Sequence, residues 1–259
     1  MILALNIGNS NITFGGYTPD GKLVFSSRLF ADTALSSDEL LYKIVNMLAL
    51  YGAEPQQITA VIFSSVVPAL TPRLREALRK MCECQIMEVG PGLKSGVRIR
   101  MDNPAQLGAE LLCGAVAALE EGPGPLAVIS ADTAISIMAV NGKQELVGGV
   151  ILPGPQLSLS ALVQKTAQLP QIDLSAPASS SILGKNTSAC LQNGFVLGTA
   201  GLLDGLAKRF QAELGPDIRF YATGNLPRTI REACRTPIQY REYLITDGLY
   251  RIWQKNRKG

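Results

Sequence analysis

Three short apolar segments joined by tight polar turns open the chain. Residues 2–7, 11–16 and 23–30 read as strands, with Asn9-Ser10 at the first turn and Pro19 to Lys22 ("PDGK") at the second, compositions suited to hairpins. From Ser37 to Tyr51 the apolar residues Leu40, Leu41, Ile44, Val45, Leu48 and Leu50 recur at helical spacing, after a Ser-Ser-Asp-Glu start that suits an N-cap and first turn. "ITAVIFSSVVP" predicts a buried strand stopped at Pro68, followed by a helix over Pro72 to Cys82 and a third, mostly apolar helix in "AQLGAELLCGAVAAL". The order β-β-β-α-β-α points to α/β layering.

The pattern then starts again. "EEGPGP" (Glu120 to Pro125) punctuates the chain, and "LAVISADTAISIMAVNGKQELVGGVILPG" repeats strand, small polar turn, strand, Asn-Gly turn, strand. Helices around 156–167 and 188–212, a strand in "IRFYAT", a Gly224-Asn225 turn and a last helix near 246–256 complete the second half. Two halves opened by like hairpins predict a duplicated architecture, 1–119 and 120–259, with a cleft between them.

Composition narrows the chemistry. With 259 residues, 47% of them hydrophobic, the chain can bury a substantial core. No apolar run approaches the roughly 18 residues that span a bilayer, and the amino terminus lacks signal-peptide character, so a soluble cytoplasmic protein is expected, with no membrane partner. The net charge of +3 is dispersed, and its densest group is the "RIWQKNRKG" tail, without the interleaved aromatics of a nucleic-acid surface. The five cysteines (Cys82, Cys84, Cys113, Cys190 and Cys234) lack metal-ligand spacing apart from one tight C-E-C and read as free thiols. Histidine is absent, which excludes a Ser-His-Asp triad, a Cys-His pair and any imidazole zinc site. Chemistry must rest on carboxylates, backbone amides, hydroxyls, Lys, Arg or a bound cation.

Neither a P-loop nor a G-x-G-x-x-G after a strand is present. The two hairpin turns, rich in Gly, Asn, Ser and Thr, can hold phosphate oxygens with amides and hydroxyls, and their repetition suggests a nucleotide gripped from both sides. "GGVILPGPQ" fits a tight corner, and in "ILGKNTSA" Thr187 either binds a polar ligand or caps the helix that follows.

Together "NIGNSN", "FSSVVP", "DNPAQLGAE", "DTA", "GGVILPG", "TAQLP", "GKNT" and "ATGN" resemble, in order and spacing, the type III pantothenate kinases of the acetate and sugar kinase/Hsc70/actin superfamily, from Ile2 to about Trp253. The resemblance implies two ribonuclease-H-like domains with ATP between them. It also implies transfer of the γ-phosphate to the pantothenate hydroxyl, the first committed step towards coenzyme A, and a homodimer whose partner helps close the substrate site. Such transfer needs a divalent cation, a positioned base and groups that stabilise the moving charge. Mg2+ and a monovalent cation, K+ or NH4+, are the ions implied.

Carried over by position, the resemblance places Asn6, Gly8, Asn9, Ser10 and Asn11 at the first phosphate turn, where the family has D-x-G-N-[ST]. Asn6 therefore stands where the family has an Asp. Glu110 occupies the proton-acceptor position of the family's G-A-D-R, here Gly108, Ala109, Glu110 and Leu111, so the substrate-holding Arg is replaced by Leu111. Met101 stands where a Tyr often lines the pantothenate site. In the second half, aligned on Thr133-Ala134, Ser130 occupies the monovalent-cation Asp position and Asp132 a Gly position, from which its side chain leans into the vacated space. The adenine-side T-G-G is Thr223-Gly224-Asn225, and Thr187 is the residue that reaches pantothenate across the dimer.

Scaffold and subunit-crossing positions are thus kept while charge is lost. Three readings follow. In the first, the chain is a pantothenate kinase subunit, impaired alone, that pairs with a motif-complete paralogue. In the second, it is a non-catalytic nucleotide-binding or regulatory protein. In the third, it is an active homodimer using Glu110 as base.

Overall fold

A computed structural model of the chain describes residues 1–176 and 181–257. Lys258 and Gly259 of the basic tail lie outside the described residues. Two compact units emerge: one comprises Met1–Glu121 and the C-terminal stretch from Tyr243, the other Gly122–Glu242.

In the first unit the expected hairpins form as β1 (Ile2–Ile7), β2 (Asn11–Tyr17) and β3 (Leu23–Phe30), followed by α1 (Ser37–Leu50), β4 (Ala60–Ser65), α2 (Thr71–Met81) and β5 (Gln85–Glu88). The sheet order is β3-β2-β1-β4-β5, antiparallel across β1, β2 and β3 and parallel across β1, β4 and β5. The start of α1 is fixed by a capping box: Ser36 Oγ accepts from the Glu39 amide at 3.3 Å, and Glu39 accepts from the Ser36 amide at 2.8 Å. After β6 (Arg98–Ile99) and a short 3-10 turn comes α3 (Ala109–Glu120).

The second unit repeats this plan with β7 (Leu126–Ala131), β8 (Ala134–Val140), β9 (Glu145–Pro153), α4 (Pro155–Gln164), α5 (Thr187–Leu214), β10 (Arg219–Gly224), α6 (Arg228–Ala233) and β11 (Ile238–Tyr240). Its strands run β9-β8-β7-β10-β11, with the same alternation of antiparallel and parallel pairs. The expected duplicated, two-part ribonuclease-H-like α/β fold is borne out. β5, β11 and α6 have no counterpart in the sequence pattern, because each is too short to carry a hydrophobic period of its own.

One expectation is corrected. Chain order places the last helix, α7 (Leu244–Asn256), in the second half, but it packs on the first unit beside β1, β4 and α3. Leu249, Tyr250, Ile252 and Trp253 join Ile2, Ala4, Ile62, Cys113 and Val116 in one buried cluster. Full burial of each large apolar side chain contributes about 1.5–3 kcal/mol, which drives the return. Contact with α3 is close enough to require glycine: a Cβ on Gly248 would crowd the Cys113 carbonyl oxygen. Tyr17 anchors the junction, stacking on Tyr250 at 5.0 Å and donating its hydroxyl proton to Asp247 at 2.6 Å.

Strand alternation decides what meets α3. In β1, Leu3, Leu5 and Ile7 face the core under α1 and α2, whereas Ile2 and Ala4 face α3 and α7. Asn6 continues the second series, and Ser64 does the same on β4 after Ala60 and Ile62. A polar pair is thereby delivered to the α3 side of the sheet. No helix among the described residues is long and apolar enough to cross a membrane.

Candidate active site

The internal repeat places polar residues at matching points of both sheets. Asn6 is the fifth residue of β1 and pairs in register with Ser64 of β4; Ser130 is the fifth residue of β7 and pairs with Thr223 of β10. All four are buried. Buried polar groups persist only where they are hydrogen-bonded, so their partners show what each position does.

In the first unit, Ser64 Oγ donates to Asn6 Oδ1 at 2.8 Å, which fixes the amide so that Asn6 Nδ2 points at Glu110 Oε2, 3.4 Å away. Glu110 sits in the first turn of α3, where a helix amino terminus favours negative charge. Behind them Cys113, one turn along α3, is hydrogen-bonded with Ser64, and burial raises its thiol pKa, with the nearby Glu110 charge adding to the rise. The result is a line of four side chains, Cys113, Ser64, Asn6 and Glu110, that ends on a half-buried carboxylate.

The β1–β2 turn forms as expected. Gly8 is buried, its amide donates to the Asn11 carbonyl at 2.9 Å, and Asn9 stands exposed at the tip. Gly108 is the N-cap residue of α3 and Ala109 its first residue. Met101 lies half-buried in the segment before the 3-10 turn. Leu111, at the position where the resemblance has an Arg, is 6% exposed and belongs to the packed side of α3, so it offers a ligand no polar contact.

In the second unit, Asp132 and Thr133 form the turn between β7 and β8, with the Asp132 amide donating to the Ala134 carbonyl at 2.8 Å. The Asp132 side chain does not lean towards Ser130. Its Oδ1 accepts from Asn225 Nδ2 at 3.0 Å, because the chain turns after Ala131 and carries Asp132 towards the end of β10. Asn225 therefore ties the turn that follows β10 to the β7–β8 hairpin. Gly224 makes this approach possible: it has φ +84°, and a Cβ there would collide with the Ala131 carbonyl oxygen. Tyr240 steadies the same turn by donating to the Gly224 carbonyl at 2.8 Å, and Arg231 lies over its ring.

Thr187 is the exposed first residue of α5, and the cap is its neighbour: Asn186 accepts from the Ala189 amide at 2.9 Å. The threonine is thus spared for other contacts.

The donor set suits a phosphate better than a metal ion. Small polar turns open both sheets, whereas the two buried strand-end positions hold a neutral amide and a neutral hydroxyl. Among the described residues no three His, Cys, Asp or Glu side chains are grouped to hold a metal ion. The polar side chains at these strand ends are Asn6 with Glu110 in the first unit and, in the second, Ser130, with Asp132 in the turn beyond it.

Comparison with known proteins gives the family and the fold. Residues 2–209 match the family model described as type III pantothenate kinase. The chain is 35% identical over 258 residues to a type III pantothenate kinase of Geotalea daltonii, covering 100% of both chains. To that of Myxococcus xanthus it is 34% identical over 256 residues, covering 99% of both. Among solved structures, the inorganic polyphosphate/ATP-glucomannokinase of Arthrobacter superposes with a TM-score of 0.52 at 14% identity, over 98% of this chain and 99% of that one, a likeness of fold. The chain belongs to the type III pantothenate kinase family.

Proposed function

We propose that this chain phosphorylates pantothenate with ATP and Mg2+, that Glu110 takes the hydroxyl proton, and that the reaction is slow when the chain works alone. The Ser64–Asn6–Glu110 line carries this reading, because it holds one carboxylate at the proton-acceptor position with a matched donor beside it. Two carboxylates at these positions would repel; an amide and a carboxylate attract. This pairing of Asn6 with Glu110 supports a working site.

The slowness follows from what Asn6 and Ser130 cannot do. Mg2+ favours anionic oxygen ligands, and a neutral side chain at either position stabilises less of the charge that develops on the moving phosphoryl group. Loss of one charge-stabilising group of this kind costs about 10²–10³ in rate, or roughly 3–4 kcal/mol of barrier. A K+ or NH4+ ion at Ser130 is weakened for the same reason.

A subunit role belongs to the same proposal. Thr187 is exposed and relieved of capping, which supports its donation to a neighbouring site, either in a homodimer or in a pair with a motif-complete paralogue. The test is a coupled assay of pantothenate-dependent ADP release by the purified chain, alone and mixed with such a paralogue. A slow rate alone and a pair faster than the sum of its parts are expected. No turnover by the chain alone together with a pair no faster than the paralogue by itself would favour the non-catalytic nucleotide-binding reading, and a fast homodimer would remove the need for a partner.

A further inference from the structure

Cys82 and Cys84 have no part in the phosphate site. Cys82 is the C-cap of α2, in extended conformation, and Cys84 immediately precedes β5, so the chain between them makes a single-residue link. This brings the two Sγ atoms to 2.6 Å. Both thiols are free and half-buried, and both line a surface depression of about 510 Å³. Arg79 and Lys80 line the same depression from the last turn of α2 and are exposed. Lys80 is engaged by Asp38 at 2.8 Å and Glu76 at 2.9 Å, and Glu83, between the two cysteines, also lines the depression, so Arg79 and Glu83 present one exposed cation and one exposed anion beside the thiols.

We infer that Cys82 and Cys84 form a redox-active dithiol that small disulfides of the glutathione type, which carry both carboxylate and ammonium groups, oxidise to an intramolecular disulfide. In the first step the Cys82 thiolate attacks one sulfur of the small disulfide, forming a mixed disulfide and releasing one small thiolate. In the second, the Cys84 sulfur attacks the Cys82 sulfur and releases the other small thiolate. The two protons lost by the protein thiols go to the two released thiolates. The protein pair is oxidised by two electrons and the small disulfide is reduced by the same two. Burial first, then the hydrogen bond to Cys82, raise the Cys84 thiol pKa, which disfavours it as the first attacker, and the closeness of the two sulfurs supplies the second, intramolecular step.

The pair is remote from the candidate active site. Gln85, next to Cys84, is in register with Ala60 at the start of β4, whereas Ser64 lies four residues further along that strand. At about 3.3 Å per residue, the two sites sit at opposite ends of the parallel strands. Oxidation of the pair is independent of the proposed kinase activity.

To test it, the full-length protein is incubated with oxidised glutathione, quenched with an alkylating agent and analysed by mass spectrometry. Two of the five cysteines should become resistant to alkylation, with a mass loss of two hydrogens mapped to one peptide carrying Cys82 and Cys84. Dithiothreitol should restore both thiols. Cys84→Ser should accumulate a glutathione adduct on Cys82, and a melting curve confirms that this variant is folded. Stable adducts on both cysteines of the parent, no reaction at either, or failure of Cys84→Ser to trap the adduct would each overturn the inference.

Discussion

Changing Asn6 to Asp installs the residue type that the resemblance places at this position, yet the structure predicts that it destabilises the protein in the absence of ligand. Ser64 can still donate to the new carboxylate, but the donor facing Glu110 is replaced by a second negative charge at the 3.4 Å separation of the present contact. At that distance two unit charges repel by about 1 kcal/mol with water-like screening and about 5 kcal/mol at an effective dielectric constant of 20. The site is part-buried, so a net loss of about 1–3 kcal/mol at neutral pH is expected, and each kcal/mol lowers the melting temperature by about 2–4 °C at this chain size. The sign with pH is fixed. Repulsion between the introduced carboxyl and Glu110 raises the folded-state pKa values of the pair above the unfolded values near 4, so the penalty is absent at low pH and appears as pH rises through the raised values. Thermal melts of parent and Asn6→Asp from about pH 4 to about pH 8 should therefore diverge with rising pH, and Mg2+ with ATP should narrow the gap at the upper end. Equal melting temperatures at every pH would refute the assignment of Asn6 as the donor that holds Glu110.

Other outcomes are expected from the same geometry. Gly248→Ala forces a Cβ against the Cys113 carbonyl oxygen and should cost at least about 1–3 kcal/mol in chemical denaturation, since the obstacle is backbone. A double-mutant cycle on Asp132→Ala and Asn225→Ala should give a coupling of about 0.5–1.5 kcal/mol in stability, and both single variants should weaken nucleotide binding by calorimetry. Asp247 has its pKa raised, chiefly by burial, against the lowering effect of the Tyr17 hydrogen bond. Because a raised folded-state value favours the protonated form, Asp247→Asn should gain stability over the parent at neutral pH, and the gain should vanish as pH falls and Asp247 becomes protonated.

Sequence periodicity carries the long elements and the duplication. β1 to β4 and their counterparts β7 to β10 are announced by apolar runs bounded by small polar turns, and α1 by six apolar residues at helical spacing after a capping serine. β5 and β11 are not legible, since four- and three-residue edge strands gain their conformation from the neighbouring strand rather than from their own pattern. Nor is the destination of α7: its amphipathic pattern demands a partner without naming which unit supplies it. Within the site, the departures from the resemblance at positions 6, 110, 111 and 130 are visible once the motifs are in register. Their consequences are not. That Asn6 is aimed at Glu110 depends on Ser64, 58 residues away, and the redirection of Asp132 depends on Asn225, 93 residues away. One signal could foretell the second contact, because the resemblance places Gly at both 132 and 225, where this chain has Asp132 and Asn225, and polar side chains at two such turns suggest that the turns meet.

The central claim is that Glu110 is the proton acceptor in a working, if slow, phosphoryl transfer. Its most direct measurement compares pantothenate-dependent ADP formation by the parent and by Glu110→Gln at saturating ATP and Mg2+, with nucleotide affinity measured alongside. The variant should bind nucleotide as the parent does while its rate falls by about 10²–10⁴. A Glu110→Gln protein that turns over at the parent rate would contradict the claim.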